Sequence, residues 1–225
     1  MQPFQNFLLV APVLLFSVIA HEVAHGYAAL KQGDPTAWQL GRLTWNPVKH
    51  IDPFMTILLP ALLIFTHAGM ILGGAKPVPV NPRNYRNFKR GDIIVSLAGV
   101  ATNFVLALAC TLLIALVSPI GRIPGLAESV AILQMMFSYG VFINLSLIAF
   151  NLLPVPPLDG SHVMKYLLPP AWSLQYQRVG FFGIFLLLLL MQTRFFSWWM
   201  TPPMFLTDQL LRLVAPLTLQ SQLLQ

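Results

Sequence analysis

His21 and His25 stand four residues apart, with Glu22 directly after the first, inside the run SVIAHEVAHGYAAL. On a helix that spacing puts both imidazoles on one face. Two such nitrogens can share one Zn²⁺, and the glutamate beside them can serve as general base toward a water molecule. The surrounding residues are apolar, and ionisable side chains in hydrocarbon are costly unless paired or put to use. A metal centre satisfies all three groups, whereas a packing role does not. Ala20, Ala24, Gly26, Ala28 and Ala29 are small, which lets neighbouring helices approach this stretch closely.

A catalytic zinc needs a third protein ligand and an open position. The candidates are His50, Asp52, His67, Asp92, Glu128, Asp159, His162 and Asp208. Asp92 and Glu128 fall in loops at membrane boundaries and Asp208 in an amphipathic tail, so these three read as solvated charges. His50 and Asp52, in KHIDP, read as turn-capping residues. Asp159 follows Pro154, Pro156 and Pro157, which stop a helix and expose backbone groups. Such backbone at membrane depth needs a buried or water-lined setting. Asp159 therefore leads over His162, which the residues alone leave open.

The elements that must carry these residues follow from hydropathy and charge. Of 225 residues, 56% are hydrophobic and only 9% charged. A soluble domain carries about a quarter charged residues, so this is an all-α polytopic membrane protein, read as one membrane-embedded domain over 1–225. Its core is three transmembrane helices at about residues 5–30, 93–118 and 130–152. Another apolar run covers 178–199, within one or two C-terminal helices at about 176–219. The catalytic core ends near residue 168. The apolar start lacks a basic region and a cleavage site, and reads as the beginning of the first span rather than as a signal peptide. Cys110 is the one cysteine, which excludes an intrachain disulfide and a thiolate cluster.

Eight of the thirteen basic residues lie between positions 31 and 92. The net charge of +6 is therefore read as membrane sidedness, not nucleic-acid binding. That segment is expected on the cytoplasmic side. The run 53–72, interrupted by Pro60, is then expected to re-enter rather than cross, because crossing would put basic groups on both sides. The chain after Asn151 emerges on the same side as the end of the first helix. Residues 36–46, with alternating and aromatic positions, are expected to form one or two short strands.

HEVAH and NLLPVPPLDG together resemble the site-2 protease family of intramembrane zinc metalloproteases. GRLTWNPVKHIDP, GAKPVPVNPRNYRN and SLAGVATN extend the resemblance to its short bacterial subgroup without a PDZ domain, over about residues 15–165. The resemblance implies one zinc per chain, bound by His21, His25 and Asp159. It implies Glu22 as general base and Asn151 as a donor to the substrate carbonyl or oxyanion. It further implies a transmembrane protein substrate in the lipid bilayer and a multi-pass bacterial inner-membrane location with the site toward the cytoplasm. Oligomeric state and substrate identity do not follow from it. Where the family has AGPxxN, this chain has Val100 for the proline, which leaves Asn103 as a helix-packing residue. Ser161 stands where the family often has glycine. An unwound substrate segment is expected to add as a strand near Trp38–Trp45. The re-entrant segment and AKPVPVNP are expected to form a gate. The rival classes are a membrane zinc peptidase of another HExxH lineage and a metal transporter. The first lacks a later glutamate ligand here, and the second has no use for Glu22.

Overall fold

The computed structural model describes residues 3–58, 74–178 and 180–218. Helix α1 runs Pro3–Gln32, short α2 Thr36–Gln39, α3 Phe88–Val117 and α4 Ala127–Asn151. Then come α5 Asp159–Met164, α6 Pro170–Arg178, α7 Gly183–Met191, α8 Arg194–Trp199 and α9 Thr201–Val214. Among the described residues, three helices are long and apolar enough to cross a membrane, or four if the bent pair α6–α7 is one span. The fold is all-α and polytopic, with no strand among the described residues.

The three long helices match the expected spans, and each begins earlier, at Pro3, Phe88 and Ala127. α3 begins five residues early because the Asn87 side-chain oxygen accepts from Arg90 N at 3.0 Å, which satisfies a first-turn amide. α4 stops at Asn151, before Pro154. Two expectations change. Residues 36–46 are not strands: Asp34 accepts from Thr36 N at 3.1 Å and turns the chain into α2, and Gly41 follows at φ +62°. The run 178–199 is divided, because the Thr193 side chain accepts from Phe196 N at 3.4 Å and starts α8 afresh. Among the described residues the C-terminal part therefore holds four α-helices, α6 to α9. Residues 59–72 of the expected re-entrant segment, His67 among them, lie outside the described residues.

The chain divides into two compact units, Val18–Gly99 and Met1–Ser17 with Val100–Gln225. In the first, Ala29, Tyr85 and Val95 form the buried core. Asp34, fully buried, ties its loops together by accepting from Thr36 N, Thr36 Oγ1, Asn81 N and Asn84 Nδ2. In the second, Ala107 on α3 packs with Val141 and Leu145 on α4, joined by Leu210 and Leu211 of α9. Asn144 donates to Ser17 Oγ at 2.9 Å, which links α4 to the N-terminal half of α1. Leu153, Val155 and Leu187 form a second cluster, and Trp199 Nε1 donates to the Ala149 carbonyl at 2.8 Å. On α3, Val105, Leu108, Leu112 and Leu116 remain exposed along one stripe. Such a stripe suits contact with acyl chains, since bilayer helices associate through close packing and polar contacts and leave apolar surface to the lipid.

Candidate metal centre

His21, Glu22 and His25 lie in the middle of α1, with His21 only 6% exposed. The two ring Nε2 atoms face each other at 2.9 Å, and the rings meet edge to face with centroids 4.6 Å apart. His25 Nδ1 lies 2.7 Å from the Val95 carbonyl oxygen of α3. A carbonyl only accepts, so Nδ1 carries a proton and Nε2 is the nitrogen turned toward His21. Gly99, one turn further along α3, receives the other ring. A Cβ at Gly99 would stand 2.5 Å from His21 Nε2. His21 thus faces Gly99 and His25 faces Val95, each pair four residues along its own helix, with the helices antiparallel.

Glu22, half-buried, occupies a different face of α1. Its Oε2 accepts from Val78 N at 2.8 Å. One turn on, Gly26 leaves room for the segment that carries Val78: a Cβ there would sit 2.8 Å from Val78 Cγ1 and 3.3 Å from Ala37 Cβ, and would collide with Leu43.

Asn151 and Asp159 belong to the second unit. Asn151, at the C-terminal end of α4, donates from Nδ2 to the Leu147 carbonyl at 3.0 Å. An amide nitrogen carries two hydrogens, so a second acceptor can still be served. Asp159, half-buried, opens α5. The chain doubles back between them through the proline-rich turn. Gly160 makes this close approach possible, because a Cβ there would collide with the Leu152 carbonyl and stand 2.8 Å from Leu153 O. The glycine of the LDG sequence is thereby explained by packing.

The sequence model of peptidase family M50 matches residues 9–191, a range that holds all of these residues. The chain belongs to peptidase family M50, the site-2 protease family. Its similar relatives are proteins named "Putative zinc metalloprotease". One is YwhC of Bacillus subtilis, 39% identical over 84% of this chain and 82% of its own length. Another is Rip2 of Mycolicibacterium smegmatis, 32% identical over 73% of this chain and 59% of the relative. Rip2 of Mycobacterium tuberculosis strain H37Rv is 31% identical over 85% of this chain and 70% of its own length. No solved structure matches the chain.

This M50 peptidase presents imidazole donors suited to a first-row divalent metal. Two nitrogens at 2.0–2.1 Å from one tetrahedral ion would be about 3.3 Å apart. The observed 2.9 Å needs only a small opening of the pair to match. Of the residues set aside as ligands, Glu128 is exposed, in the first turn of α4 and not in a loop, and Asp208 pairs with Arg212 at 2.7 Å, as expected for solvated charges. Asp92 departs from that reading, being only 2% exposed on α3. His50 is also buried, its Nε2 donating to the Thr44 carbonyl at 2.9 Å, while Asn46 is the residue that caps the following turn through Val48 N. Asn103 is fully buried, and neither amide atom has a hydrogen-bond partner among the described residues. Val95 and Val78 act here through backbone atoms, which leave no trace in residue type. The glycine in SLAGVATN was visible, but not the ring that fills its empty side.

Proposed function

We propose that this membrane peptidase is an intramembrane zinc metalloprotease that hydrolyses peptide bonds in or near transmembrane segments of membrane proteins, in the manner of regulated intramembrane proteolysis. The observation that carries the reading is the convergence of His21 and His25 through Nε2, with the His25 tautomer fixed by Val95 O. A histidine whose far nitrogen donates to a carbonyl is oriented as metal ligands are. The zinc metalloprotease names of the relatives support zinc as the metal.

In this reading one zinc per chain is held by His21, His25 and Asp159, the last supplied by the LDG motif. Zinc, when bound, supplies a Lewis acid that lowers the pKa of water and polarises a carbonyl. Glu22 takes a proton from the attacking water as the new C–O bond forms, and delivers it to the amide nitrogen as the C–N bond breaks. Asn151 donates a hydrogen bond to the developing oxyanion. The substrate helix unwinds locally first, since its peptide groups are engaged in i to i−4 hydrogen bonds. The site faces the cytoplasm of a bacterial cell, the side to which the basic residues assign the end of α1.

The test is purified protein in lipid nanodiscs with a synthetic transmembrane peptide, zinc content being measured by elemental mass spectrometry. One zinc per chain and cleavage are expected. Glu22→Gln is expected to keep the zinc and lose cleavage by a factor of about 10³ or more. Zinc retained by the wild type with no cleavage would favour a metal-binding or transport role.

A further inference from the structure

The segment 74–81 is an extended strap with its attachments all inside the unit Val18–Gly99. Lys76 N donates to the His50 carbonyl at 2.7 Å, and Asn81 N to Asp34 Oδ2 at 2.6 Å. Arg42 Nη2 donates to the carbonyls of Lys76 at 3.1 Å and Pro77 at 3.3 Å. Between these anchors, Pro77 and Pro79 have no N–H. Val78 N–H is therefore the one backbone donor over three residues, and it is the one that meets Glu22. The Val78 side chain is 5% exposed and lies over Gly26, one helical turn from Glu22, so the register of the strap on α1 is fixed by packing as well.

We propose that the Val78 amide is the positioning group of the catalytic carboxylate. This rests on the reading of Glu22 as general base. A carboxylate has two oxygens, and charge-assisted bonds to one of them are short and directional. Held through Oε2 by an amide on a strap anchored at both ends, Glu22 is fixed in rotation and presents Oε1 for proton transfer. The flanking prolines preset the backbone and remove competing donors. The strap thereby serves the chemistry without contributing a functional side chain, and Val78 touches neither substrate nor metal in this role.

The experiment removes the donor and leaves the rest. Val78→Pro deletes the N–H in a segment already flanked by proline. Replacement of Val78 by the α-hydroxy acid analogue of valine puts an ester oxygen in place of the N–H and keeps the side chain. Val78→Ala keeps the N–H and trims the side chain. All are assayed as full-length protein in nanodiscs on the transmembrane peptide used above, beside wild type and Glu22→Gln. Both donor deletions are expected to lower kcat about 100-fold, with KM and bound zinc at wild-type levels, and Val78→Ala, which keeps the N–H, is expected to lose about tenfold less than the ester. Wild-type kcat in the folded, zinc-loaded ester variant would overturn the proposal. So would a loss in Val78→Ala equal to that in the ester, because that would make the role steric. Full activity in Glu22→Gln overturns the general-base reading itself, and is told apart by needing no change at Val78.

Discussion

Val95 O and Gly99 do for the two histidines what residue type alone cannot. The carbonyl fixes which nitrogen of His25 carries the proton, and the missing Cβ gives the His21 ring its place. Gly99→Ala would put a methyl group 2.5 Å from His21 Nε2, so the ring must rotate away from His25. Loss of ligand orientation of this kind costs about 10–100-fold in metal affinity. The expected result is zinc retention weakened by that factor in competition with a chelator, in protein that still folds. Gly91→Ala is the comparison on the same helix. Its Cβ would meet the Tyr85 ring at 2.8 Å, so melting temperature should fall while zinc affinity holds. Equal zinc affinity in Gly99→Ala and wild type would show that the ring does not depend on this glycine. His21, Glu22 and His25 were legible in the sequence because three ionisable groups inside an apolar run demand a use. Their supports were not, because a carbonyl, an amide and an absent side chain look alike at every position.

At the scale of elements, the three long helices were legible from apolar length, and the loop after α1 was not. Its Thr, Trp and Leu residues imitate strand alternation, but the buried Asp34 carboxylate outweighs that tendency by gathering four donors into one clasp. The division of 178–199 was hidden for a related reason: one side-chain acceptor, Thr193, restarts a helix that hydropathy reads as continuous. Burial pushes the Asp34 pKa up, but the bonds from Asn81 N, Thr36 Oγ1, Asn84 and Thr36 N more than offset it, and the net shift is downward. The charged form is thus favoured in the folded state. Its contribution is complete above the unfolded value of about 3.9 and is lost as pH falls through the lower folded value. Hydrogen exchange at the Asn81 and Thr36 amides is therefore expected to stay slow down to about pH 4 and to speed up below it. Asp34→Ala strands several donors and should cost about 3 kcal/mol or more, read as a lower melting temperature at neutral pH. An Asp34→Ala protein with wild-type melting temperature would mean that the clasp adds nothing to stability.

Over the whole molecule, the basic residues and the path of the chain bear on the same question of sidedness. His50 and Lys76 flank the apolar run 53–72, and they are joined by the bond from Lys76 N to His50 O at 2.7 Å. Thr56 Oγ1 also donates to the Gly74 carbonyl at 2.6 Å. Two flanks hydrogen-bonded to each other accord with the expectation, drawn from the positive charges before and after the run, that both lie on one side. A re-entrant run 53–72 remains the expectation from charge, and such a course is tolerated where protein or water lines the backbone. Cysteine labelling tests this in a Cys110→Ala background, with Lys49→Cys and Arg86→Cys introduced one at a time at exposed positions. A membrane-impermeant maleimide should label both in inside-out vesicles and neither in intact, right-side-out spheroplasts. Labelling of the two from opposite sides would make 53–72 a full span. It would also overturn the charge-based sidedness from which Asp159 is proposed as a ligand.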